Sequence, residues 1–169
     1  MKTIVASVLA IGLFAPAAQA IVIPWSATLD QAQEVPAPTA VPGAGGVASG
    51  TIDTVTGDLT WMITFSGLSG AATGMHFHGP AAPGATAGVQ VNIGNISGLT
   101  SPSNGSTVIS QSQVSDLRND LWYINVHTAL NAPGEIRGQV DAVPVPAALP
   151  LMVAGIGALA LFSRHRKKA

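Results

Sequence analysis

Asp58 to Phe65 carries the clearest pattern in the chain, a strict alternation of apolar and polar positions. Leu59, Trp61, Ile63 and Phe65 share one face, and Asp58, Thr60 and Thr64 share the other. A period of two is the mark of a half-buried strand. Val47 to Asp53 predicts a second strand, and Thr54-Val55-Thr56-Gly57 between the two reads as a hairpin connection. Further strands are predicted at Trp25 to Leu29, Gly74 to His78, Val89 to Ile93, Ser106 to Ser110, Trp122 to Thr128 and Glu135 to Val140. Gly- and Pro-rich stretches separate them, at Pro36 to Gly46, Gly79 to Gly84, Gly94 to Gly105 and Asn131 to Gly134. Ala37 to Gly46 reads as a lid or a long connection, and Gly94 to Gly105 as an exposed loop. Val114, Leu117 and Leu121 have helix-like spacing, which predicts one helical turn. About eight short strands without a long amphipathic crossover helix predict an all-β fold, an antiparallel Greek-key β-sandwich or barrel.

Both ends depart from this pattern. Lys2 precedes the apolar stretch Ile4 to Phe14, and Ala18-Gln19-Ala20 follows with small residues around one spacer. That order predicts a signal peptide over residues 1–20, removed by signal peptidase, with the mature chain starting near Ile21. At the other end, Val143-Pro144-Val145-Pro146-Ala147 leads into an apolar run, 147–162, and then Arg164, Arg166, Lys167 and Lys168. At about 1.5 Å per residue this run spans roughly 24 Å, short of a hydrocarbon core of about 30 Å. The basic cluster would stay on the cytoplasmic side of a membrane. The order of motif, hydrophobic helix and basic end resembles the PEP-CTERM family of sorting tails in its VPxPA variant. That resemblance implies transient anchoring in the inner membrane and cleavage by an exosortase near the motif, in a Gram-negative envelope. The expected organisation is therefore a signal peptide over 1–20, a folded domain over 21–142, and a sorting tail over 143–169.

The formal net charge of −1 hides a division. All eight acidic residues lie between Asp30 and Asp141, opposed there only by Arg118 and Arg137. An acidic domain of this kind argues against nucleic acid as a partner, because phosphate binding needs a basic patch. The chain has no cysteine, so the core must hold the fold without disulfides.

Four pieces along the middle of the chain form a recognisable succession. Ala27-Thr28-Leu29-Asp30 with Gln33-Glu34-Val35-Pro36 comes first, then Gly46 and Thr51-Ile52-Asp53, then Gly74 to Pro80. Tyr123 to Thr128 with Pro133 to Gln139 closes it. This succession resembles the CHRD domain family. The resemblance implies an exported, β-sandwich-like module without enzymatic activity, bound for the cell envelope or extracellular polymer matrix. Met75, Phe77 and Leu121-Trp122 depart from the family pattern without breaking it. Its lasting partner would be exopolysaccharide or another envelope protein, and the neutral, hydroxyl-rich loops also allow a glycan-binding module.

Three histidines fall inside these motifs. His76 and His78 are two apart, so a strand projects both from one face. His127 shares a face with Tyr123 and Asn125 on another strand. If the two strands pair, three imidazoles converge, with Glu34 or Glu135 as neighbouring carboxylates. Such a site suits copper or zinc. Its similarity to Cu/Zn superoxide dismutase is partial, since further histidines and the disulfide cysteines are missing. Against this stands a structural role, in which the imidazoles hydrogen-bond loop carbonyls and fix Gly- and Pro-rich turns. Glu135 and Arg137 lie on one polar face and are expected to form a structural ion pair with each other or with Gln33-Glu34. No Gly-x-Ser-x-Gly elbow is present, so a hydrolase triad has no anchor.

Overall fold

The computed structural model describes residues 21–143. The signal segment 1–20, the apolar run 147–162 and the terminal basic cluster lie outside the described residues. So does the sorting motif except for Val143, whose N–H donates to Pro24 O at 2.9 Å. Among the described residues, no helix is long and apolar enough to cross a membrane.

Among the described residues, nine strands and two short helices follow one another: β1 Val22–Asp30, β2 Gly45–Asp53, β3 Asp58–Ser66, β4 Ala72–His78, β5 Val89–Asn92, α1 Ile93–Ser97, β6 Ser103–Val108, α2 Gln111–Arg118, β7 Tyr123–Thr128, β8 Ile136–Gln139 and β9 Asp141–Ala142. All pairings are antiparallel, in the order β5-β4-β7-β8-β1-β2-β3-β6, with β9 paired to β1. This is an all-β architecture, but one curled sheet, a half-barrel, takes the place of two facing sheets. Phe77 on β4 lies 5.6 Å from Trp25 on β1 and 5.8 Å from Trp61 on β3, edge to face in both cases. β4 and β3 are far apart in the strand order, so only curling brings these rings together.

Alternation places the core. Ile23, Trp25, Ala27 and Leu29 of β1 point inward, as do Leu59, Trp61 and Ile63 of β3. The widest part of the core is a row across four neighbouring strands, Trp25–Gly50–Trp61–Gly105, each residue the register partner of the next. A Cβ on Gly50 would stand 2.6 Å from Trp25 Cζ2, and one on Gly105 would stand 2.5 Å from Trp61 Cζ2. Each indole therefore lies over the bare backbone of the adjacent strand, a large–small alternation that packs the concave side of the curve.

Several elements differ from expectation. α1 occupies part of the stretch expected as an exposed loop, because Asn92 caps it by accepting from Asn95 N at 2.9 Å. β6 begins at Ser103 rather than Ser106, held by continuous pairing with β3. α2 starts earlier than the predicted turn because Ser110 and Gln113 form a capping box. The Pro36 to Gly46 connection is tied down: Thr39 and Asn131 bond each other backbone to amide in both directions, at 2.8 and 3.2 Å.

Candidate functional site

On β4, β7 and β8 one face supplies Met75, Phe77, Ile124, Val126 and Ile136 to the core. The opposite face carries His76, His78, Tyr123, Asn125, His127, Arg137 and Gln139. Register sets His78 beside Tyr123, His76 beside Asn125, and Asn125 beside Arg137. This second face is roofed by connections rather than by another sheet. Gln139 N donates to Gln33 Oε1 at 3.0 Å, Gln139 Nε2 to Ala81 O at 3.0 Å, and Asn125 Nδ2 to Glu34 Oε2 at 2.7 Å. Tyr123, Asn125 and Arg137 are consequently buried although none belongs to the apolar core.

The structure brings the three predicted histidines together. One ring nitrogen from each of His76, His78 and His127 lies within 4.8 Å of the others, and all three residues are half-buried. His76 Nδ1 and His127 Nε2 are 3.1 Å apart. His78 Nδ1 lies 2.9 Å from Ala87 O, and His127 Nδ1 lies 2.9 Å from Ala132 O. A carbonyl only accepts, so both Nδ1 atoms carry the proton and both Nε2 atoms present lone pairs. His78 is further held by Tyr123, whose ring stacks on it at 5.0 Å and whose hydroxyl also donates to Ala87 O at 3.3 Å. Gly74, opposite His127, leaves room for the rings: a Cβ there would sit 3.1 Å from both His127 Cδ2 and His76 Cε1. Burial lowers the pKa of His76, and the neighbouring His127 and His78 lower it further. Burial also lowers His78; the Ala87 bond opposes this, while the charges of His127 and Arg137 add to it. His76 and His78 therefore favour the neutral imidazole, the form that ligates metals.

Neither expected carboxylate joins the histidines. Glu34 accepts from Val35 N at 3.0 Å as well as from Asn125. Burial raises its pKa, against the Val35 bond and the nearby Arg137 charge. Glu135, wholly buried, accepts from Ser69 N at 2.7 Å, from the Ser69 and Thr128 hydroxyls, and from Asn131 Nδ2 at 3.2 Å. The expected ion pair of Glu135 with Arg137 is not made, because these donors satisfy the carboxylate from the other side. Arg137 instead lies with its Cζ 3.5 Å above the Tyr123 ring, reaches Gln139 Oε1 at 3.4 Å, and has Glu34 as its counter-charge. Arg137, Tyr123 and His78 thus form a continuous stack.

Burial pushes Glu135 upward, but the Ser69, Thr128 and Asn131 bonds more than reverse this and hold its carboxyl below the usual glutamate value. Its contribution to stability is fully present above the unfolded-state value of about 4.3 and is lost as pH falls through its lowered value. Glu34, shifted the other way, loses its contribution as pH rises through its own raised value. The urea midpoint of the wild type should therefore fall more steeply between pH 6 and pH 3 than that of Glu135→Gln; parallel curves would contradict this assignment.

Bonds from the imidazoles to loop carbonyls were expected, and Ala87 and Ala132 supply them; the stacking role of Tyr123 and the space left at Gly74 were not anticipated. Of these, only Gly74 had a sequence signal, a glycine two positions before His76 on the same strand face.

The CHRD domain family model matches residues 25–140. No curated protein and no solved structure matches the chain.

Proposed function

The chain belongs to the CHRD domain family, and from that membership we propose a non-enzymatic module, exported to the cell envelope or extracellular matrix, with a binding or structural role. The family match carries this reading, because it spans the acidic, cysteine-free domain and leaves the two delivery segments outside it. Lys2 with Ile4 to Phe14 supports export through signal peptidase. Val143 to Ala147, the apolar run and the terminal basic cluster support retention and release by an exosortase.

A second observation favours a neutral polymer as the partner. The outward face of β1, β2, β3 and β6 carries the register rows Ser26–Ser49–Met62–Asn104 and Pro24–Thr51–Thr60–Ser106. Within these four strands neither row bears a charge, the acidic Asp141 standing beside Ser26 on β9, and Thr51 and Thr60 link their hydroxyls at 2.8 Å. A broad surface of hydroxyls with scattered apolar groups suits exopolysaccharide or an uncharged protein face better than a charged ligand.

Intact-mass spectrometry of inner-membrane, envelope and secreted fractions tests the delivery part. The expected mature species lacks residues 1–20 and the segment after Ala147, and is found beyond the inner membrane. Recovery of only the full-length chain in the inner membrane would overturn it.

A further inference from the structure

We propose that His76, His78 and His127 form a binding site for a single copper or zinc ion, with copper held more tightly. Three independent features of the cluster point there. The first is convergence: the 3.1 Å between His76 Nδ1 and His127 Nε2 is close to the separation of about 3.3 Å that two nitrogens have when each sits about 2.0–2.1 Å from one tetrahedral ion.

The second is orientation. The Nδ1–H groups of His78 and His127 each donate to a backbone carbonyl, of Ala87 and Ala132, at 2.9 Å. Metal-ligating histidines almost always donate their other ring N–H to such an outer partner, which fixes the tautomer and aims the free lone pair. The Tyr123 stack on His78 fixes that ring still further. A scaffold role accounts for the two carbonyl bonds alone.

The third feature is what a scaffold role leaves unexplained. His78 Nε2 is buried without a hydrogen-bond partner. A buried polar atom in that condition is costly, and a cation on its lone pair relieves the cost. His127 Nε2, an acceptor, faces His76 Nδ1, which donates to it before a cation binds. When the ion takes the space between them, the His76 proton moves to Nε2 of the same ring, and the imidazole stays neutral.

The donor set selects the metal. Three neutral imidazoles without carboxylate oxygens are unsuited to calcium or magnesium, which require oxygen ligands. Imidazole suits copper and zinc, and the general affinity order puts copper above zinc. Arg137 stands behind Tyr123 as the nearest cation, and Glu34 and Glu135 have their carboxylates engaged elsewhere.

The test uses the full chain, purified without a histidine tag, titrated with copper(II) alone and with zinc(II) alone. We expect one ion per chain, tighter copper than zinc, and a copper(II) electron paramagnetic resonance spectrum with couplings to three nitrogens. His78→Gln and His76→Asn should each weaken binding at least about a hundredfold, and Gly74→Ala, which crowds two ligands without removing any, about tenfold. His165→Gln, in the tail, should change nothing. Oxygen-only coordination in the wild type would overturn the site, whether or not the histidine variants fold. So would unaltered copper affinity in a folded His76→Asn/His78→Gln double variant.

Discussion

Arg137→Ala is expected to lower the melting temperature by at least about 12 °C. The side chain is 1% exposed, its guanidinium lies 3.5 Å from the Tyr123 ring centroid, and its counter-charge Glu34 is itself 5% exposed. Truncation opens a void beside the Tyr123 ring and leaves Glu34 buried without its cation. Emptying the site of a buried side chain this large costs about 3–5 kcal/mol, as for the largest core truncations, and each kcal/mol moves the midpoint of a domain of this size by about 4–8 °C. Arg137→Met with Glu34→Gln removes both charges at similar volume and should recover much of the loss. Thermal unfolding followed by circular dichroism measures both. An unchanged midpoint in Arg137→Ala would refute the view that this residue braces the fold.

A comparable loss is expected from the mildest of changes, Gly50→Ala. The added methyl would stand 2.6 Å from Trp25 Cζ2 and collide with the backbone oxygen of Thr60. Neither neighbour can give way: Trp25 is 2% exposed, and the oxygen belongs to the neighbouring strand of the sheet. Overpacking commonly costs about 1–3 kcal/mol, and a clash with backbone belongs at the upper end, roughly 10–20 °C of melting temperature. Ser49→Thr, one position away on the outward face, should cost almost nothing. Equal midpoints for Gly50→Ala and Ser49→Thr would contradict the packing role of the Trp–Gly row.

Much of this architecture could be read from the chain because the strands alternate. β3 is bounded within a residue by its own pattern, and Trp25, Ala27 and Leu29 locate β1, although it starts three residues earlier, at Val22. Alternation also placed His76 and His78 on one face, and the pairing of β4 with β7 brings His127 to them. What could not be read is non-local. Ser103 and Asn104 have poor strand propensity, and β6 includes them only because β3 offers partners at Ile63 and Met62. α1 is five residues long and contains a glycine, so no periodicity announces it. The capping signature Ser110-Gln111-Ser112-Gln113 was available and would have moved α2 to its observed start. The carboxylate assignments failed for a similar reason. Which donors reach Glu135 depends on Ser69, which is distant in sequence and brought near only by folding.

The two ends of the sheet are guarded against pairing with a second molecule. One terminal strand, β5, has only four residues, and the other, β6, reads Ser-Asn-Gly-Ser-Thr-Val. Short, glycine-containing borders are poor templates for another molecule's strand. Copies of the domain can lie side by side without zipping into fibrils, and a Gly105→Val change would weaken that protection as well as the interior.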